Sequence, residues 1–397
     1  MKHRALQLVH QSIVRLWVHP LESKTIPRLE SAKQTKLNSA LLRWFSWWAN
    51  VGRILVLDLR VNVVRLAGTE WNVTYFGTGE SLEAISSMLF PEMPGVDKLP
   101  RVFLWRVPAL VHKYTSEGDL VVCELNQILD WSFNGLQIFF TVPLFIKQVF
   151  EGIDQPLDNI LVPMNQTIRR NIRKLENQGF SYSITRDVDD FDFFYYRMYL
   201  PYITSRHEGQ GMILDNYEST RNEFKKGELF QVMDGKDPVC GMICELHGEL
   251  CVAKEMGVLD ANFELVKSGV NVALWWFMLL WARDQGAKNF DFGSSRAVIS
   301  NGVFNFKRQW GTRVILHKGI HSHWSFYAQQ LPENLREHLN ELGFITSLDG
   351  KCYKLILNGY NHAYSPIDIS REAAYAAKCG LDGLAIYANK DSVRITS

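Results

Sequence analysis

The stretch FDFGSSRAVISNGVFNFKRQWG, residues 290–311, decides the fold. It opens as a buried strand that we expect to end at Phe292, and it continues through a loop of glycine, serine, asparagine and arginine. It closes on Gly302–Trp310, where aromatic and basic residues recur at helical spacing. One short unit therefore combines an acid, a flexible polar loop and a Lys-Arg pair.

A long apolar helix precedes this stretch and predicts a crossover between two parallel strands. We predict the helix at Ser268–Gln285, capped by its first residue and stopped by the glycine that follows it. The strands on either side, Leu250–Val258 and Lys288–Phe292, should be parallel if they are neighbours. Ligands of such sheets bind at the carboxyl ends of the strands. Asp291–Arg296 is therefore expected to border a cleft.

The residues before this unit predict antiparallel strands and helices. In chain order we predict a basic helix at Asn165–Gln178, a strand at Ser181–Thr185, a helix capped by Asp189 or Asp190, a helix at Asn216–Lys226, and strands at Leu229–Met233, Val239–Leu246 and Leu250–Val258. The dipeptide His247-Gly248 indicates a two-residue hairpin turn, which would set Cys244 opposite Cys251. Antiparallel strands followed by a helical crossover predict a mixed α/β sheet.

The chain divides by composition into four segments. Residues 1–50 look helical and basic, 51–160 are strand-rich and predict a first α/β domain, 161–330 hold the elements above, and 331–397 predict a small α+β extension. The tryptophan-rich stretch Leu41–Trp48 is interpreted as a helix over the domain core, with peripheral contact to a membrane as the alternative.

The overall charge is balanced, which excludes a globally basic nucleic-acid-binding protein. Lys+Arg is 43 and Asp+Glu is 42, so any basic site must be local. Six cysteines in 397 residues do not form a disulfide framework and predict reduced thiols in the cytoplasm. The N-terminus lacks the apolar core of a signal peptide. We expect a cytoplasmic protein, with the inner face of the membrane as the alternative location.

The element order resembles the GNAT acyltransferase fold, and three motifs sharpen the resemblance to its Fem-type branch, the FemAB-like or BioF2-like acetyltransferases. These motifs are a helix ending in A-x-x-x-G at Ala282–Gly286, the strand F-D-F-G at Phe290–Gly293, and F-K-x-x-W-G at Phe306–Gly311. The resemblance covers about Phe140–Ile320 and implies two GNAT-like domains in tandem. It also implies transfer of an acyl or aminoacyl group, by direct attack, to an amine or hydroxyl of a cell-envelope or polysaccharide precursor.

The donor is left open by the loop before the crossover helix. GNAT acetyltransferases hold the pyrophosphate of acyl-CoA with a Gln/Arg-x-x-Gly-x-Gly/Ala loop at the helix start. Here the loop reads VKSGVN at Val266–Asn271, so its basic residue is displaced and its last small residue is replaced by asparagine. Acyl-CoA, an acyl carrier protein and aminoacyl-tRNA all stay candidates. The residues that would contact a CoA donor are Lys267, Ser268, Gly269 and Asn271.

Two residues are the candidate catalytic groups. Lys307 matches the lysine that contacts substrate in the Fem-type branch, and a fixed cation stabilises the oxyanion of acyl transfer. Asp291 would face the cleft if the flanking phenylalanines face the core, and it could accept a proton from the attacking group. A structural hydrogen bond to the following loop is the equal alternative for Asp291. Glu255 on the preceding strand is a second possible base, for which a purely structural role is the preferred interpretation.

Basic and polar residues around the same cleft are candidates for binding the acceptor. Arginine forks suit phosphate groups of a nucleotide-sugar, a lipid-linked glycan precursor or a tRNA end, and a solvated helix face is the alternative. The candidates are Arg169, Arg170, Arg173 and neighbouring Lys174 on the basic helix, Arg206, and Ser294, Ser295 and Arg296 in the loop.

Metal chemistry is not expected. Cys240, Cys244 and Cys251 cluster in the predicted hairpin, but His247 falls in its turn, so we interpret the thiols as buried apolar side chains. The imperfect Val266–Asn271 loop also supports an alternative to catalysis. That alternative is a reduced GNAT-like scaffold that binds a phosphorylated glycan precursor or a protein partner. The oligomeric state is left open.

Overall fold

The computed structural model describes residues 60–77, 79, 81–126, 139–175, 177–207, 217–316, 322–358, 365–389 and 392–396. The predictions for residues 1–50, including the tryptophan-rich stretch, lie outside the described residues. The described chain is a mixed α/β protein, as predicted.

The strands and helices are numbered in chain order. The strands are β1 (Arg60–Ala67), β2 (Asn72–Gly77), β3 (Gly95–Phe103), β4 (Leu120–Asn126), β5 (Phe140–Pro143), β6 (Phe145–Glu151), β7 (Phe180–Thr185), β8 (Glu228–Asp234), β9 (Asp237–His247), β10 (Leu250–Val258), β11 (Asn289–Arg296), β12 (Arg313–Ile315), β13 (Ser322–Tyr327), β14 (Ile345–Leu348), β15 (Lys351–Leu357), β16 (Leu384–Asn389) and β17 (Ser392–Thr396). The helices are α1 (Leu82–Leu89), α2 (Val107–Ser116), α3 (Leu157–Leu161), α4 (Gln166–Leu175), α5 (Val188–Phe193), α6 (Leu200–His207), α7 (Tyr217–Phe224), α8 (Phe263–Ser268), α9 (Val270–Asp284), α10 (Gly302–Arg308), α11 (Glu333–Leu342) and α12 (Pro366–Lys378). A π-helical segment, Phe194–Tyr199, joins α5 to α6, and 3₁₀ turns lie at Leu104–Arg106 and Leu259–Ala261.

The central sheet has seven strands in the order β12-β6-β11-β10-β9-β8-β7. Strands β10 and β11 are parallel neighbours, and α9 is the crossover between them, which confirms the prediction from sequence. The other pairs in this sheet are antiparallel. The parallel pair therefore lies inside an otherwise antiparallel sheet.

Helices cover both faces of this sheet. On one face, α4 and α9 bury Ile168, Ile172 and Trp275 in a core that also holds Phe290 and Phe292 of β11. On the other face, α5, the π-helical segment and α7 pack on β8 and β9 through a second, largely aromatic core.

The described chain contains two further sheets. A six-stranded sheet has the order β3-β1-β2-β4-β13-β5, and a four-stranded sheet has the order β14-β15-β16-β17. Strand β13 follows the strands of the central sheet in the chain but belongs to the six-stranded sheet. Strand β6 directly follows β5 of the six-stranded sheet but belongs to the central sheet. The strands are therefore exchanged between sheets relative to their order in the chain. Helix α11 and strand β15 lie in the segment 331–397, for which both helix and strand were predicted.

Several local predictions were wrong. Ser268 does not cap the crossover helix, because it is the last residue of α8. The N-cap residue of α9 is Gly269, at φ 101°. Asp187, not Asp189 or Asp190, caps α5. The β9–β10 turn is one residue later than predicted, because Leu250 pairs with His247.

That register places Cys251 opposite Leu246 and Cys244 opposite Ala253. The cysteines are buried free thiols, as expected, and burial raises the pKa of the Cys240 thiol. Among the described helices, none is both long enough and apolar enough to cross a membrane.

Candidate active site

The parallel strands β10 and β11 pair over a short distance only. Their register runs from Leu250–Asn289 to Val252–Asp291. Immediately beyond these residues each strand contains an irregularity, between Ala253 and Met256 in β10 and between Asp291 and Ser294 in β11. Bulges redirect side chains and interrupt pairing. The two bulges at the carboxyl side of the parallel pair define the candidate site.

Gly293 forms the bulge in β11. Its φ of 77° is in the left-handed region that favours glycine, and its N–H donates to Asp291 Oδ1 at 2.8 Å. A Cβ at this position would lie 3.4 Å from the Ala253 carbonyl oxygen and 3.7 Å from Lys307 Nζ. The glycine therefore brings the backbone of β10 and the lysine of α10 together at one point.

The prediction that the strand ends at Phe292 was wrong. After the bulge, β11 continues as Ser294–Arg296 and pairs with Phe145–Lys147 of β6. The partner of this second half is β6, which is distant in sequence, so local composition does not predict the pairing. What appeared to be a polar loop is therefore the second half of a strand.

Asp291 faces away from the core, as predicted from the alternation with its neighbours. The ring of Phe292 stacks on Trp275 with centroids 4.6 Å apart, whereas the Asp291 side chain lies on the opposite face and is only 1% exposed. Its Oδ2 accepts a hydrogen bond from Lys147 Nζ at 2.8 Å. Both carboxylate oxygens thus have partners, so the structural alternative for Asp291 is supported.

Lys307 is held inside the protein at the β11 bulge. The side chain is 6% exposed, and Nζ donates to the Ser294 carbonyl oxygen at 2.8 Å. Burial lowers the pKa of Lys307 from 10.5 to about 7, while the negative charge of Asp291 acts in the opposite direction. A buried amine with such a pKa changes charge near neutral pH, which is unusual for a structural lysine.

Aromatic packing fixes the helix that carries this lysine. Phe304 and Trp310 are buried, and Trp310 lies 5.7 Å from Phe292 between ring centroids. The Asn301 side chain caps α10 by accepting from Val303 N and Phe304 N. These contacts agree with the prediction that aromatic residues hold the helix.

Glu255 occupies the bulge of β10. Burial, followed by the nearby charge of Glu223, raises the pKa of Glu255 from 4.5 to about 7, and a hydrogen bond with Tyr199 acts in the opposite direction. The π-helical segment that carries Tyr199 lies close against β10. A Cβ atom added to Gly257 would lie only 2.4 Å from the Tyr199 backbone nitrogen. Glu255 is therefore a carboxyl group that can hold a proton near neutral pH.

The predicted donor residues lie around the α8–α9 junction. Lys267 is exposed and pairs with Glu264 at 2.7 Å, and the Ser268 hydroxyl donates to Leu265 O at 2.8 Å. Asn271, in the first turn of α9, forms a hydrogen bond with Tyr202. The helix start offers backbone N–H groups that suit a phosphate. Acyl-CoA therefore fits the backbone of this junction, but the side chains add no free cation to it.

The basic helix lies beside this junction. Helix α4 packs on α9, and the Gln178 amide that follows α4 donates to Ser268 O at 2.7 Å. On α4, Arg169 is half-buried, and the residues with exposed side chains are Arg170, Arg173 and Lys174. The Arg206 guanidinium lies over the Tyr202 ring at 4.9 Å and near Phe263. The structure thus places the predicted basic residues on two sides of the junction.

Ser294, Ser295 and Arg296 do not converge on the cleft as predicted. Only Ser294 meets Lys307, through its backbone carbonyl. The Ser295 hydroxyl donates to Gln148 Oε1 at 2.7 Å, and Arg296 lies over the Phe145 ring at 4.5 Å. The cause is the strand continuation, which sends successive side chains to opposite faces.

Sequence reasoning missed Lys147 and Gln148 of β6. Neither belongs to a motif, and their partners in β11 lie about 145 residues further along the chain. Tyr199 was likewise missed, although the aromatic run Phe193–Tyr199 was recognised as helical. Only the strand exchange and the π-helical geometry bring these residues to the site.

Comparison with known families identifies the domain around this site. Residues 164–308 match the family model described as the acetyltransferase (GNAT) domain. This segment contains α4, both bulges, Glu255 and Lys307. The match confirms the predicted GNAT acetyltransferase domain in residues 164–308. A comparison with curated proteins found no match.

The solved structures to which this chain is similar include the following three proteins. FemX is 12% identical, with 69% of this chain and 85% of that chain covered, at a TM-score of 0.36. L-PGS from Bacillus licheniformis is 11% identical, with 70% and 84% covered, at a TM-score of 0.32. A GCN5-related N-acetyltransferase from Kribbella flavida is 12% identical, with 70% and 92% covered, at a TM-score of 0.26.

Proposed function

We propose that this GNAT-domain protein transfers an acyl group from a thioester or ester donor to an amine or hydroxyl acceptor, at the site between the two bulges. The observation that carries the proposal is the buried Lys307 ammonium at the β11 bulge, next to the β10 strand that bears Glu255. Burial shifts the pKa of both groups to about 7, downward for the Lys307 amine and upward for the Glu255 carboxyl.

Glu255 is the group best placed to accept a proton from the acceptor. Its raised pKa of about 7 makes the carboxylate a stronger base than an exposed glutamate, while a useful fraction is still ionised at neutral pH. Tyr199 fixes the carboxyl group through a hydrogen bond. Asp291 is less suited to this role, because Lys147 and Gly293 N already occupy its oxygens.

Lys307 is assigned to the negative charge that develops on the donor carbonyl oxygen. Attack of the acceptor on the donor carbonyl produces a tetrahedral oxyanion, and collapse expels the thiolate or alkoxide. A cation that is already fixed in a desolvated site stabilises such an oxyanion without reorganising. The bond to Ser294 O holds Nζ in place before substrate arrives.

The donor and acceptor classes are inferred from the residues around the α8–α9 junction. Acyl-CoA is one donor, bound by the N-terminal backbone of α9, and an acyl carrier protein and aminoacyl-tRNA are the others. The basic residues of α4 and Arg206 suit the phosphates of the acceptor, for which we propose a nucleotide-linked or lipid-linked precursor of the cell envelope or of a polysaccharide. A cytoplasmic site facing the inner membrane agrees with such an acceptor.

A second function is supported by one observation. The only basic side chain in the Val266–Asn271 loop is Lys267, and Glu264 pairs with it. A GNAT-like scaffold that binds a phosphorylated glycan precursor or a partner does not bind a CoA donor. It therefore does not require a basic side chain in this loop for the CoA pyrophosphate. This alternative predicts binding of the acceptor alone.

Thermal-shift measurements distinguish the two functions. The full-length protein is screened with acetyl-CoA, longer acyl-CoAs and UDP-sugars, and donors that bind are then tested for release of free thiol. A ligand at a hundred times its Kd stabilises the native state by about 2.7 kcal/mol, which is a readily measured shift. Stabilisation by a donor with acceptor-dependent thiol release supports transfer. Stabilisation by UDP-sugars alone supports the scaffold.

A further inference from the structure

The side chain of Gln148 on β6 is completely buried and has a partner for each of its polar atoms. It is 0% exposed, and its Oε1 accepts from the Ser295 hydroxyl at 2.7 Å. Its Nε2 donates to Phe304 O at 3.2 Å and to the Thr312 hydroxyl oxygen at 3.3 Å. One amide of β6 therefore joins the segments at Ser295, Phe304 and Thr312, which lie 147, 156 and 164 residues further along the chain.

These segments are the ones that carry the Lys307–Ser294 hydrogen bond. The Thr312 hydroxyl, which accepts from Gln148, donates to the carbonyl oxygen of Lys307 itself at 3.1 Å. On the other side, Ser295 directly follows Ser294, whose carbonyl accepts from Lys307 Nζ. The amide thus fixes both the helix that bears the lysine and the strand that bears its partner.

Burial alone does not account for an amide at this position. The neighbouring residues on β6, Ile146 and Phe150, are apolar and buried, so an apolar side chain at 148 would serve the core. A buried amide costs desolvation energy that only complete hydrogen bonding offsets. What the amide adds is directional: it specifies where α10 lies relative to β11.

We propose that Gln148 is a positioning residue for the transfer reaction, which holds Lys307 at the β11 bulge through Ser295, Phe304 O and Thr312. The inference rests on the proposed function of Lys307 but makes a separate claim. Without the amide, α10 would shift from the sheet, the lysine would become hydrated, and its charge would no longer be held at the reacting carbonyl.

The test compares Gln148→Met with a control substitution of another buried glutamine in the same sheet. Gln231 on β8 is also buried, at 4% exposed, and accepts a hydrogen bond from Ser183. Gln231→Met removes a buried amide far from Lys307. The Lys307 ammonium is titrated in full-length protein by ¹H–¹³C NMR with ¹³C at lysine Cε, the signal being assigned by its absence in Lys307→Met.

Gln148→Met is expected to raise the pKa of Lys307 by about one unit or more, toward the ordinary lysine value, because hydration relieves the burial that lowers it. With an identified donor, kcat should fall about tenfold while KM changes less than twofold. Gln231→Met should change neither quantity. If Gln148→Met does not fold, it is replaced by Thr312→Val, which removes the hydroxyl that connects the Gln148 amide to Lys307 O and has the same expected direction.

The outcomes separate this inference from the proposed function. An unchanged Lys307 titration in Gln148→Met overturns the positioning role even if the enzyme is active. A raised pKa supports it even if no substrate has been found. Turnover that is unaffected by Lys307→Met contradicts the function while leaving the titration result intact.

Discussion

Replacing Lys307 by methionine tests the catalytic assignment directly, because methionine keeps most of the stem and removes the charge. A fixed cation at an oxyanion in a desolvated site contributes about 3 kcal/mol, which corresponds to about a hundredfold in rate. We therefore expect kcat of Lys307→Met to fall about a hundredfold. Lys307→Arg should recover little of it, since a planar guanidinium fork does not replace a point charge in a closed site.

The same substitution should make the protein more stable at neutral pH. In the native state the pKa of Lys307 is lowered from 10.5 to about 7, so the unfolded chain binds this proton more readily. Native stability therefore rises with pH between about 7 and 10.5, and each unit of pKa difference corresponds to about 1.4 kcal/mol. The hydrogen bond to Ser294 O, worth about 1 kcal/mol, is lost in the variant. A net gain on the order of 3 kcal/mol at pH 7 remains.

The pH dependence of turnover gives the sharpest measurement. If the charged form of Lys307 is required, kcat falls above pH of about 7, and this alkaline limb should be absent from Lys307→Met. The neighbouring Arg308→Met is the control, because it removes a cation from the same helix whose side chain bonds Asn305 instead. Full turnover of Lys307→Met, or an alkaline limb that survives the substitution, would refute the role of Lys307 as a catalytic cation.

Three further changes probe the surrounding groups. Glu255→Gln should abolish the acidic limb of the kcat profile, which for a base with a pKa of about 7 rises toward neutral pH; persistence of that limb would exclude Glu255 as the base. Arg170→Ala with Arg173→Ala should weaken binding of a phosphorylated acceptor and flatten its salt dependence, measured by titration calorimetry; lost turnover with intact acceptor affinity would count against phosphate binding. Lys147→Met should destabilise the protein in chemical denaturation by about 3 kcal/mol, because it leaves the buried Asp291 charge uncompensated, and adding Asp291→Asn should restore much of the loss. Equal costs in the single and double variants would show that the pair is not coupled.

The fold of the central domain was largely predictable, because its signals are local. The apolar run of the crossover helix and the alternation of the flanking strands predicted the parallel pair of β10 and β11, and the structure confirms it. One error arose where the sequence allows two positions for the start of a helix. Ser268 is a good cap by type, but Gly269 in the left-handed region terminates α8 there.

The candidate site was predictable only in part. Lys307 and Glu255 could be singled out from motif and strand position, since both lie in segments with strong patterns. Their pKa values near 7 follow from burial, which the sequence does not show. Ser295 and Arg296 were misplaced because the pairing of β11 with β6 depends on a strand about 145 residues earlier. Local sequence patterns therefore identified the candidate reactive groups but not the residues that contact them.

Strand β6 leads to a prediction about where the catalytic unit begins. The composition boundary at residue 161 separates β6 from the central sheet, yet β6 pairs with both β11 and β12 and supplies Lys147 and Gln148 to the site. A fragment of residues 161–330 would expose the edge of β11 and leave Asp291 buried without its cation, and unpaired edges favour aggregation. A fragment of residues 140–330 keeps β6. We expect the shorter fragment to be insoluble or to lack a cooperative thermal transition, and the longer one to yield more soluble protein in a matched expression trial. Equal solubility and melting temperature of the two fragments would show that the domain from residue 161 is self-sufficient and that β6 is an accessory to it.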